Sequence, residues 1–475
     1  MIVWALLLGC SGPVSADSAG PPLTTETAPP ITPPILTVST TEGGTASLTV
    51  DAVIPTVVRV DWSGADQAWA VTPYGATPVD RTGRFAVLGL PHGATVPVEV
   101  VLDRGGTLTT LDLGAVTLDP APDPLPEWTI TVFDADRSEV VGKHLLVAIQ
   151  GNAANHAFIM DDAGAYVWTH TSDPHPYKIT RARWSHDRRA VVFSQYDRSR
   201  STDIGQIVRV PLDGSPRVDT RAPLQHHDFV EHDDGTYAWL TFAIEDREVE
   251  NRGVLPVVGD GVRTGPQGAV DDQASTQMFR FLDDWGPAPW WTCAHFELDE
   301  WIPGGHDWNH TNSIAWEPVE DAWYVMSRHM DTMVKIDRST GALLWTLSGP
   351  FSDFAMPDGG FHHAHFSQVL GPDHLLVFDN DLHTGETARV VEYRLDAGTG
   401  TAEVLWEQLD PEGEVTGYLG DAQRLPGGNT LIVWSPNGRV EEFTADGERV
   451  WQGRVPDGTV VGRVELVDDL YAGWR

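Results

Sequence analysis

Residues 334–345 read VKIDRSTGALLW, and this stretch decides the interpretation of most of the chain. An alternating apolar segment ends at Asp337, a turn containing Gly341 follows, and a second segment ends at Trp345. Alternation of apolar and polar residues predicts a β-strand, and a short polar turn between two such segments predicts a hairpin. The stretch is therefore one strand-turn-strand unit.

This unit recurs along the chain. Five further copies share its apolar start, its turn and, in most cases, its tryptophan, at residues 158–168, 208–214, 279–290, 391–406 and 440–451. A second hairpin precedes the later copies, at residues 182–193, 228–240, 312–325, 366–378 and 421–434. Hairpins repeated at a period of roughly fifty residues are typical of β-propeller blades. Six copies predict six blades, with residues 461–467 expected to complete the first. A stack of separate sandwiches would need linkers, and none follows residue 127.

The predicted fold class is all-β, and the chain divides into four segments. Residues 1–10 are an apolar run ending at Cys10, and they resemble a bacterial lipoprotein signal with Cys10 as the lipidated residue. Residues 11–34 are rich in Pro, Thr and Ser, which predicts a flexible stalk. Residues 35–118 show short strands typical of an immunoglobulin-like or fibronectin-like β-sandwich, and residues 128–475 form the propeller. We expect an exported, periplasmic or cell-surface protein, attached to a membrane only through a lipid on Cys10.

The charge balance excludes one class of partner. The chain has 31 basic and 68 acidic residues, a formal net charge of −37. Nucleic acid and anionic membrane surfaces would repel such a chain, so we expect no nucleic-acid partner. Any site for an anion must be locally positive against this background.

Histidines gather where the second hairpins begin. Propellers bind ligands along the central axis, where the innermost strand of each blade starts, so these histidines are expected to converge. We expect His227 and His365 to occupy matching places in two blades. The histidines before the three successive hairpins are His226 and His227, then His310, then His362, His363 and His365.

Converging histidines have two main explanations, a transition-metal site or a neutral imidazole nucleophile with donors around an anion. Arg328 follows His310 by eighteen residues, on the next hairpin strand. Its planar guanidinium matches sulfate or phosphate oxygens and would repel a divalent cation. We therefore expect an anion site, with no metal and no cofactor. A metal-dependent hydrolase using His362, His363 and His365 is the alternative.

Several motifs in order point to one family. They are DWNHTNS (307–313), SRH (327–329), the opening stretch 334–345, HHD (226–228), VVGD (257–260), VFDN (377–380) and AQRLPGGNTL (422–431). This set resembles the bacterial arylsulfate sulfotransferases, also called arylsulfotransferases, over roughly residues 140–455.

The resemblance implies an exported six-bladed propeller with a small N-terminal β-domain. It implies transfer of a sulfuryl group from a phenolic sulfate ester to an acceptor phenol through a sulfohistidine, without a nucleotide donor and with ping-pong kinetics. His365 is then the nucleophile, while His310 and Arg328 hold the sulfuryl oxygens and His227 carries the proton. His226, His363 and Asn312 are the further substrate-binding residues, with His363 the second choice as nucleophile and His226 as proton carrier.

Two features leave alternatives open. The tryptophans between the third and fourth units form either a wall for phenolic rings or blade core, and Cys293 is expected to be a buried thiol. The function alternative from another class is a non-catalytic cell-surface propeller that binds carbohydrate or protein. The tryptophans are Trp285, Trp290, Trp291 and Trp301.

Overall fold

The structure is a computed structural model. It describes residues 39–41, 45–49, 67–73, 75–78, 86–104, 106–118, 120–121, 125–150, 155–171, 177–179, 181–197, 203, 205–212, 215–249, 252–285, 293, 305–382 and 387–474. The predicted signal with Cys10, the predicted stalk, and Trp290, Trp291 and Trp301 lie outside the described residues.

The described N-terminal strands form two antiparallel sheets. One contains β1 (Ser39–Thr41), β2 (Thr45–Thr49) and β5 (Ala86–Val87). The other has the order β4 (Gly75–Pro78), β3 (Gln67–Thr72), β6 (Thr95–Arg104) and β7 (Thr107–Thr117). The all-β character is as expected, while the immunoglobulin-like or fibronectin-like class stays a prediction.

The remaining strands form six sheets, which are the blades of a propeller. Blade 1 contains β9 (His144–Gln150), β10 (Asn155–Asp161), β11 (Tyr166–Thr171) and β34 (Val460–Val467). Blade 2 contains β13 (Ala182–Trp184), β14 (Ala190–Asp197), β15 (Gln206–Pro211) and β16 (Val218–Arg221), with β12 (Tyr177–Lys178) paired to β14. Blade 3 contains β17 (Gln225–Glu231), β18 (Thr236–Val249), β19 (Gly253–Pro266) and β20 (Thr276–Arg280), with β21 (His306–Asp307) paired to β19.

The other three blades follow in chain order. Blade 4 contains β22 (Thr311–Glu317), β23 (Ala322–Ser327), β24 (Thr332–Asp337) and β25 (Leu343–Leu347). Blade 5 contains β26 (Phe366–Gly371), β27 (His374–Asp379), β28 (Arg389–Asp396) and β29 (Thr401–Leu409). Blade 6 contains β30 (Asp421–Arg424), β31 (Thr430–Trp434), β32 (Arg439–Phe443), β33 (Arg449–Arg454) and β8 (Thr129–Val132). The predicted six-bladed propeller is confirmed.

Two strand pairings close the ring. The last strand, β34, pairs with β9 from the start of the propeller, as the sequence predicted, and β8 adds an outer strand to blade 6. Val461 faces Ile149 and Val464 faces Val147, so one extra residue is accommodated in β34 between these pairs. Such a bulge re-aims the side chains at the point where it occurs.

The core lies between the blades. On β9, Leu145, Val147 and Ile149 belong to the cluster shared with blade 6, while Leu146 and Ala148 face blade 2. Because successive side chains of a strand point to opposite faces, a strand covered on both sides is apolar throughout. Each fully buried Val, Leu or Ile contributes about 1.5–3 kcal/mol to stability.

Helices play a minor part. The described residues contain the short helix α1 (Phe281–Asp284) and 3-10 turns at Asp272–Ala274, Pro357–Gly359 and Ala472–Trp474. No helix among these residues is long and apolar enough to cross a membrane.

Of the predicted tryptophan cluster, the structure describes Trp285. Its ring centroid lies 5.4 Å from that of Phe281 and 6.4 Å from that of Phe279, within the apolar cluster between blades 3 and 4. Trp285 is therefore blade core, and the interpretation as a wall for substrate rings does not hold for this residue. Cys293 is buried, as expected.

Candidate active site

The four residues predicted to be catalytic come from three neighbouring blades. The three histidines lie where the blades begin, and Arg328 follows the second strand of blade 4. His227 and His310 lie in blades 3 and 4 with their ring centroids 5.0 Å apart. Arg328 and His310 are near enough to His365, in blade 5, for their charges to act on its imidazole. These four side chains remain 4–7 % accessible, whereas His226, His363 and Asn312 are 0–1 % accessible. All seven residues are buried, and the four predicted to be catalytic keep slightly more exposed surface than the other three.

His365 is held in one tautomer. Its Nδ1 lies 3.2 Å from Oδ1 of Asn380. The amide nitrogen of Asn380 donates to the carbonyl oxygens of Thr416 and Leu419, at 2.7 and 3.0 Å, and to the Thr416 hydroxyl at 3.0 Å. Those three acceptors fix the amide so that its oxygen faces the ring, which requires His365 to donate from Nδ1. The lone pair of a neutral His365 therefore lies on Nε2.

The same ring is kept neutral. Burial lowers the pKa of His365 well below its usual value, and the positive charges of Arg328 and His310 lower it further. A neutral imidazole with a defined Nε2 lone pair is a nucleophile across the physiological pH range.

His310 has a carboxylate behind it. Its Nδ1 lies 2.5 Å from Oδ2 of Asp307, whose side chain is completely buried. The carboxylate accepts from Nδ1–H of His310, which leaves the other ring nitrogen, Nε2, directed away from Asp307. The ring of His329 stacks on His310 at 4.7 Å, with its Nδ1 3.2 Å from the Asp307 carbonyl oxygen. Burial lowers the pKa of His329 well below its usual value, so this neighbour stays neutral.

His227 stands at the end of a second chain of polar groups. Its Nδ1 lies 2.8 Å from Nδ1 of His226, and Nε2 of His226 lies 3.4 Å from Oδ1 of Asp260. The other oxygen of Asp260 accepts from the backbone N–H of Thr311 at 2.5 Å and from its hydroxyl at 3.0 Å. His226 therefore lies between His227, which is within hydrogen-bond distance, and a fixed carboxylate, to which its Nε2 is close but not hydrogen-bonded.

Arg328 follows directly after β23 and is tied to its own blade and to the segment between blades 5 and 6. Its backbone N–H donates to the carbonyl oxygen of His310 at 3.0 Å, and Nη2 donates to the Gly417 carbonyl oxygen at 3.2 Å. The side chain is buried, so the guanidinium contributes a positive charge where solvent screens it little. The predicted anion site is locally positive in this sense.

The remaining predicted residues point to separate partners. Asn312 donates through Nδ2 to the Ala364 carbonyl oxygen at 2.9 Å, next to His365. Nε2 of His363 lies 3.1 Å from Sγ of Cys293, and Nδ1 of His362 lies 3.1 Å from Oδ2 of Asp331. The three histidines of the alternative metal site thus have three different partners. His362 faces a carboxylate, His363 a thiol and His365 an amide.

One expectation about blade equivalence was wrong. His227, His310 and His363 share a left-handed backbone, with φ of 52°, 45° and 53°, so the residue matching His227 is His363 and not His365. His365 instead matches Asn312, two residues further on. A bulge shifts the register here. Thr311 pairs with Ser327 and Ser313 pairs with Met326, so β22 advances by two residues while β23 advances by one.

A different set of atoms could hold a metal ion. Ligand atoms of Asp307, His310 and His329 all lie within 4.8 Å of one another. Two ligands of one tetrahedral zinc ion would be about 3.3 Å apart, given bonds of roughly 2.0–2.1 Å. The 2.5 Å contact between His310 and Asp307 is shorter and is a hydrogen bond. Nδ1 of His310 and Oδ2 of Asp307 are therefore a hydrogen-bonded pair and not two ligands of one ion.

Sequence reasoning left the supporting groups without roles. Asp307, Asp260 and Asn380 all lie inside the motifs that carried the family resemblance, but their tasks depend on which ring nitrogen each one faces. Their place in these motifs is the only signal that the sequence offers. The tautomer of each histidine can be assigned only from the three-dimensional structure.

A family model described as Arylsulfotransferase (ASST) matches residues 130–452, more than half of the chain and all four accessible site residues. No curated protein sequence matches.

Solved structures give distant matches. A protein of unknown function from Bacteroides caccae is 15% identical, with 69% of this chain and 99% of that chain covered at a TM-score of 0.43. TolB from Acinetobacter baumannii is 10% identical, with 80% and 81% covered at 0.40, and the periplasmic gluconolactonase PpgL of Pseudomonas aeruginosa is 14% identical, with 80% and 96% covered at 0.35. Matches this distant carry no argument about activity.

Proposed function

This chain belongs to the arylsulfotransferase family, and we propose that it moves a sulfuryl group from a phenolic sulfate ester to an acceptor phenol through a sulfohistidine at His365. The observation that supports this most is the Asn380 amide, which leaves the lone pair of His365 on Nε2. No cofactor or nucleotide donor takes part in the proposed reaction.

In the first half-reaction, Nε2 of His365 attacks the sulfur of the donor ester. The N–S bond forms, the bond from sulfur to the aryl oxygen breaks, and the phenolate leaves with the electron pair. Arg328 and protonated His310 donate to the sulfuryl oxygens, where charge concentrates in the transition state. Asp307 supports this task by holding the proton on His310.

The ring of the sulfohistidine is positively charged, because Nδ1 keeps its hydrogen. A neutral amide oxygen accepts from that hydrogen without cancelling the charge. The imidazole therefore remains a good leaving group for the second half-reaction, in which the acceptor phenol attacks sulfur and the N–S bond breaks. A carboxylate in place of Asn380 would make the intermediate less reactive.

The proton moves through His227. In its protonated form it gives a proton to the leaving phenolate, and in the second half-reaction it takes one from the acceptor phenol. His226 and Asp260 stand behind it and set the tautomer to which it returns. One residue then serves both steps. Ping-pong kinetics follow because the first phenol leaves a covalent intermediate before the acceptor binds.

The test is incubation of the purified protein with 4-nitrophenyl sulfate, with and without an acceptor phenol. We expect a burst of nitrophenol, turnover only with acceptor, and an added SO3 group on a peptide containing His365. His365→Ala should abolish all three, whereas His374→Ala should not, because His374 lies at the start of β27 and the site lies beyond the other end of that strand. Continued turnover without acceptor, or no release at all, contradicts transferase activity.

Two outcomes would favour the alternatives. Loss of activity on chelation, restored by a divalent metal, would indicate a metal-dependent hydrolase. Binding of a carbohydrate or protein without any turnover would indicate a cell-surface binding module. For that module there is no reason for His310, Arg328 and His365 to converge.

We also propose that the protein is exported and anchored by a lipid on Cys10. Metabolic labelling with a radioactive fatty acid should mark the expressed full chain and not its Cys10→Ala variant. Labelling of both, or of neither, would contradict the anchor.

A further inference from the structure

A layer of charged side chains crosses the propeller axis behind the site. Three arginines bind the single carboxylate of Asp228, which directly follows His227 in the sequence. They are Arg181 of blade 2 at 3.2 Å, Arg183 of blade 2 at 3.3 Å and Arg463 of blade 1 at 3.0 Å. Asp228 is completely buried and also accepts from the backbone N–H of Ile314 at 3.0 Å.

Arg463 differs from Arg181 in what else it touches. Its Nη2 donates to the carbonyl oxygen of Asn312 at 3.0 Å and lies 3.4 Å from the carbonyl oxygen of His365. These carbonyls belong to the matching positions of blades 4 and 5, one of which bears the nucleophile. Both guanidinium groups stack on the ring of Phe366, at 4.9 Å for Arg181 and 4.7 Å for Arg463.

The position of Arg463 depends on the bulge in β34. One extra residue is accommodated between Val461 and Val464, and Arg463 is one of the two residues at that point. The Gly462 carbonyl oxygen accepts from the Ser435 hydroxyl at 3.1 Å. The strand that closes the ring is therefore distorted where it delivers a guanidinium to the axis, as bulges near functional sites often are.

The arginine layer also borders a cavity. A cavity of about 310 Å³ lies behind it and is lined by Arg181, Arg183 and Arg463 together with Asp421 and Glu465. None of the four accessible site residues lines this cavity.

We propose that Arg463 is the positioning residue of the nucleophile. Resting on the proposed function, the inference is that its guanidinium holds the backbone of His365 and Asn312 from behind the ring. This contact keeps Nε2 of His365 in line with the sulfuryl sulfur. Displacement of a reacting atom by about 1 Å can lower a rate by about 100-fold, so a backbone contact at this point is felt in the chemical step.

The test compares Arg463→Met with Arg181→Met. Both variants remove a guanidinium from Asp228 and from the face of Phe366, but only the first removes a donor from the two carbonyls. We expect Arg463→Met to lower the burst rate with 4-nitrophenyl sulfate by about 10- to 100-fold with little change in KM, and Arg463→Lys to regain part of it. Arg181→Met should keep the wild-type burst rate. Equal losses in the two methionine variants, or a change in KM alone, would overturn the proposal.

A second measurement does not require turnover. In ¹⁵N-histidine-labelled protein, the ring signals of His365, assigned with His365→Gln, should show a single Nδ1–H tautomer. Arg463→Met should broaden or average these signals, while Arg181→Met should preserve them. Unchanged His365 signals in Arg463→Met would overturn the positioning role. A wild-type protein without turnover but with this pattern would instead contradict the proposed function alone.

Discussion

The side-chain oxygen of Asn380 lies 3.2 Å from Nδ1 of His365, and the nitrogen of the same amide is held by three acceptors. An amide can satisfy both demands because it carries an acceptor and two donors on one planar group. A carboxylate at this place could accept from His365 but could not donate to the three acceptors.

Asn380→Asp should therefore change the pH dependence of the first half-reaction. In the wild type, the pKa of His365 is held well below its usual value, so the acid limb of the burst rate should lie well below pH 6.5. A carboxylate beside Nδ1 stabilises the imidazolium and raises that pKa, so less neutral ring remains at a given pH. We expect the acid limb to move to higher pH. Burst rates over a pH series measure this.

Asn429→Asp is the matched control. Its amide nitrogen also donates to a carbonyl oxygen and to a carboxylate, those of Arg137 and Glu442, at 2.8 and 2.7 Å, far from the accessible site residues. Its acid limb should coincide with that of the wild type. An unshifted limb in Asn380→Asp would show that the amide does not set the state of His365.

Arg328→Lys should slow both half-reactions while leaving the protein folded. Lysine keeps the charge but loses the planar fork that matches two sulfuryl oxygens. Removal of one such donor lowers kcat by about 10²–10³. Single-turnover rates in each half-reaction measure the loss, and Arg338→Lys, in an outer ion pair of the same blade with Asp321, should leave them unchanged. A wild-type rate in Arg328→Lys would remove Arg328 from the anion site.

Asp260→Asn and Asp307→Asn should have different effects on the choice of donor. In Asp260→Asn, an amide N–H can face Nε2 of His226, which then has to accept a hydrogen bond. His226 would change its tautomer, and proton transfer through the adjacent His227 should be impaired. Phenyl sulfate, which has a basic leaving group, should then suffer far more than 4-nitrophenyl sulfate, since general acid catalysis contributes about 10²–10⁴ where it is needed.

Asp307→Asn should instead slow both donors by a similar factor, because His310 is proposed to hold sulfuryl oxygens and not the leaving oxygen. The dependence of log kcat on the pKa of the leaving phenol measures the difference. The opposite result would be a steeper dependence than in the wild type for Asp307→Asn and an unchanged one for Asp260→Asn. It would make His310 the proton donor and His227 the residue that holds the sulfuryl oxygens.

The fold was predictable because its information is local and repeated. The hairpin at 334–345 and its copies each carry their own alternation and turn, and six such units can bury their two apolar faces only against one another. The approach of His310, Arg328 and His365 was also predictable, since inner strands of a propeller start near one axis. The matching of His227 with His365 was not, because bulges in β17 and β22 add residues that strand counting cannot detect.

The roles of Asn380 and Arg463 lay beyond the sequence for a different reason. Asn380 lies in the same blade as His365, but its amide is oriented by Thr416 and Leu419 from a later segment of the chain. Arg463 lies 98 residues from the His365 carbonyl that it contacts. No local pattern distinguishes an arginine that reaches the axis through a bulge from one on an ordinary strand.

A final prediction concerns stability. Burial raises the pKa of Asp421 to about 7, although its Oδ2 accepts from the backbone N–H of Val464 at 3.1 Å. The unfolded chain releases this proton near pH 4, so the folded state binds it more tightly, and the resulting stability is lost as pH rises from about 4 to about 7.

Asp421→Asn removes this dependence while an amide oxygen can still accept from Val464. The free energy of unfolding of Asp421→Asn should exceed that of the wild type by about 1–3 kcal/mol at pH 8 and by much less at pH 4. Denaturant unfolding at both pH values measures this, with Asp457→Asn in an exposed turn as the control that should follow the wild type. An equal difference at the two pH values would mean that the effect comes from packing and not from the carboxyl proton.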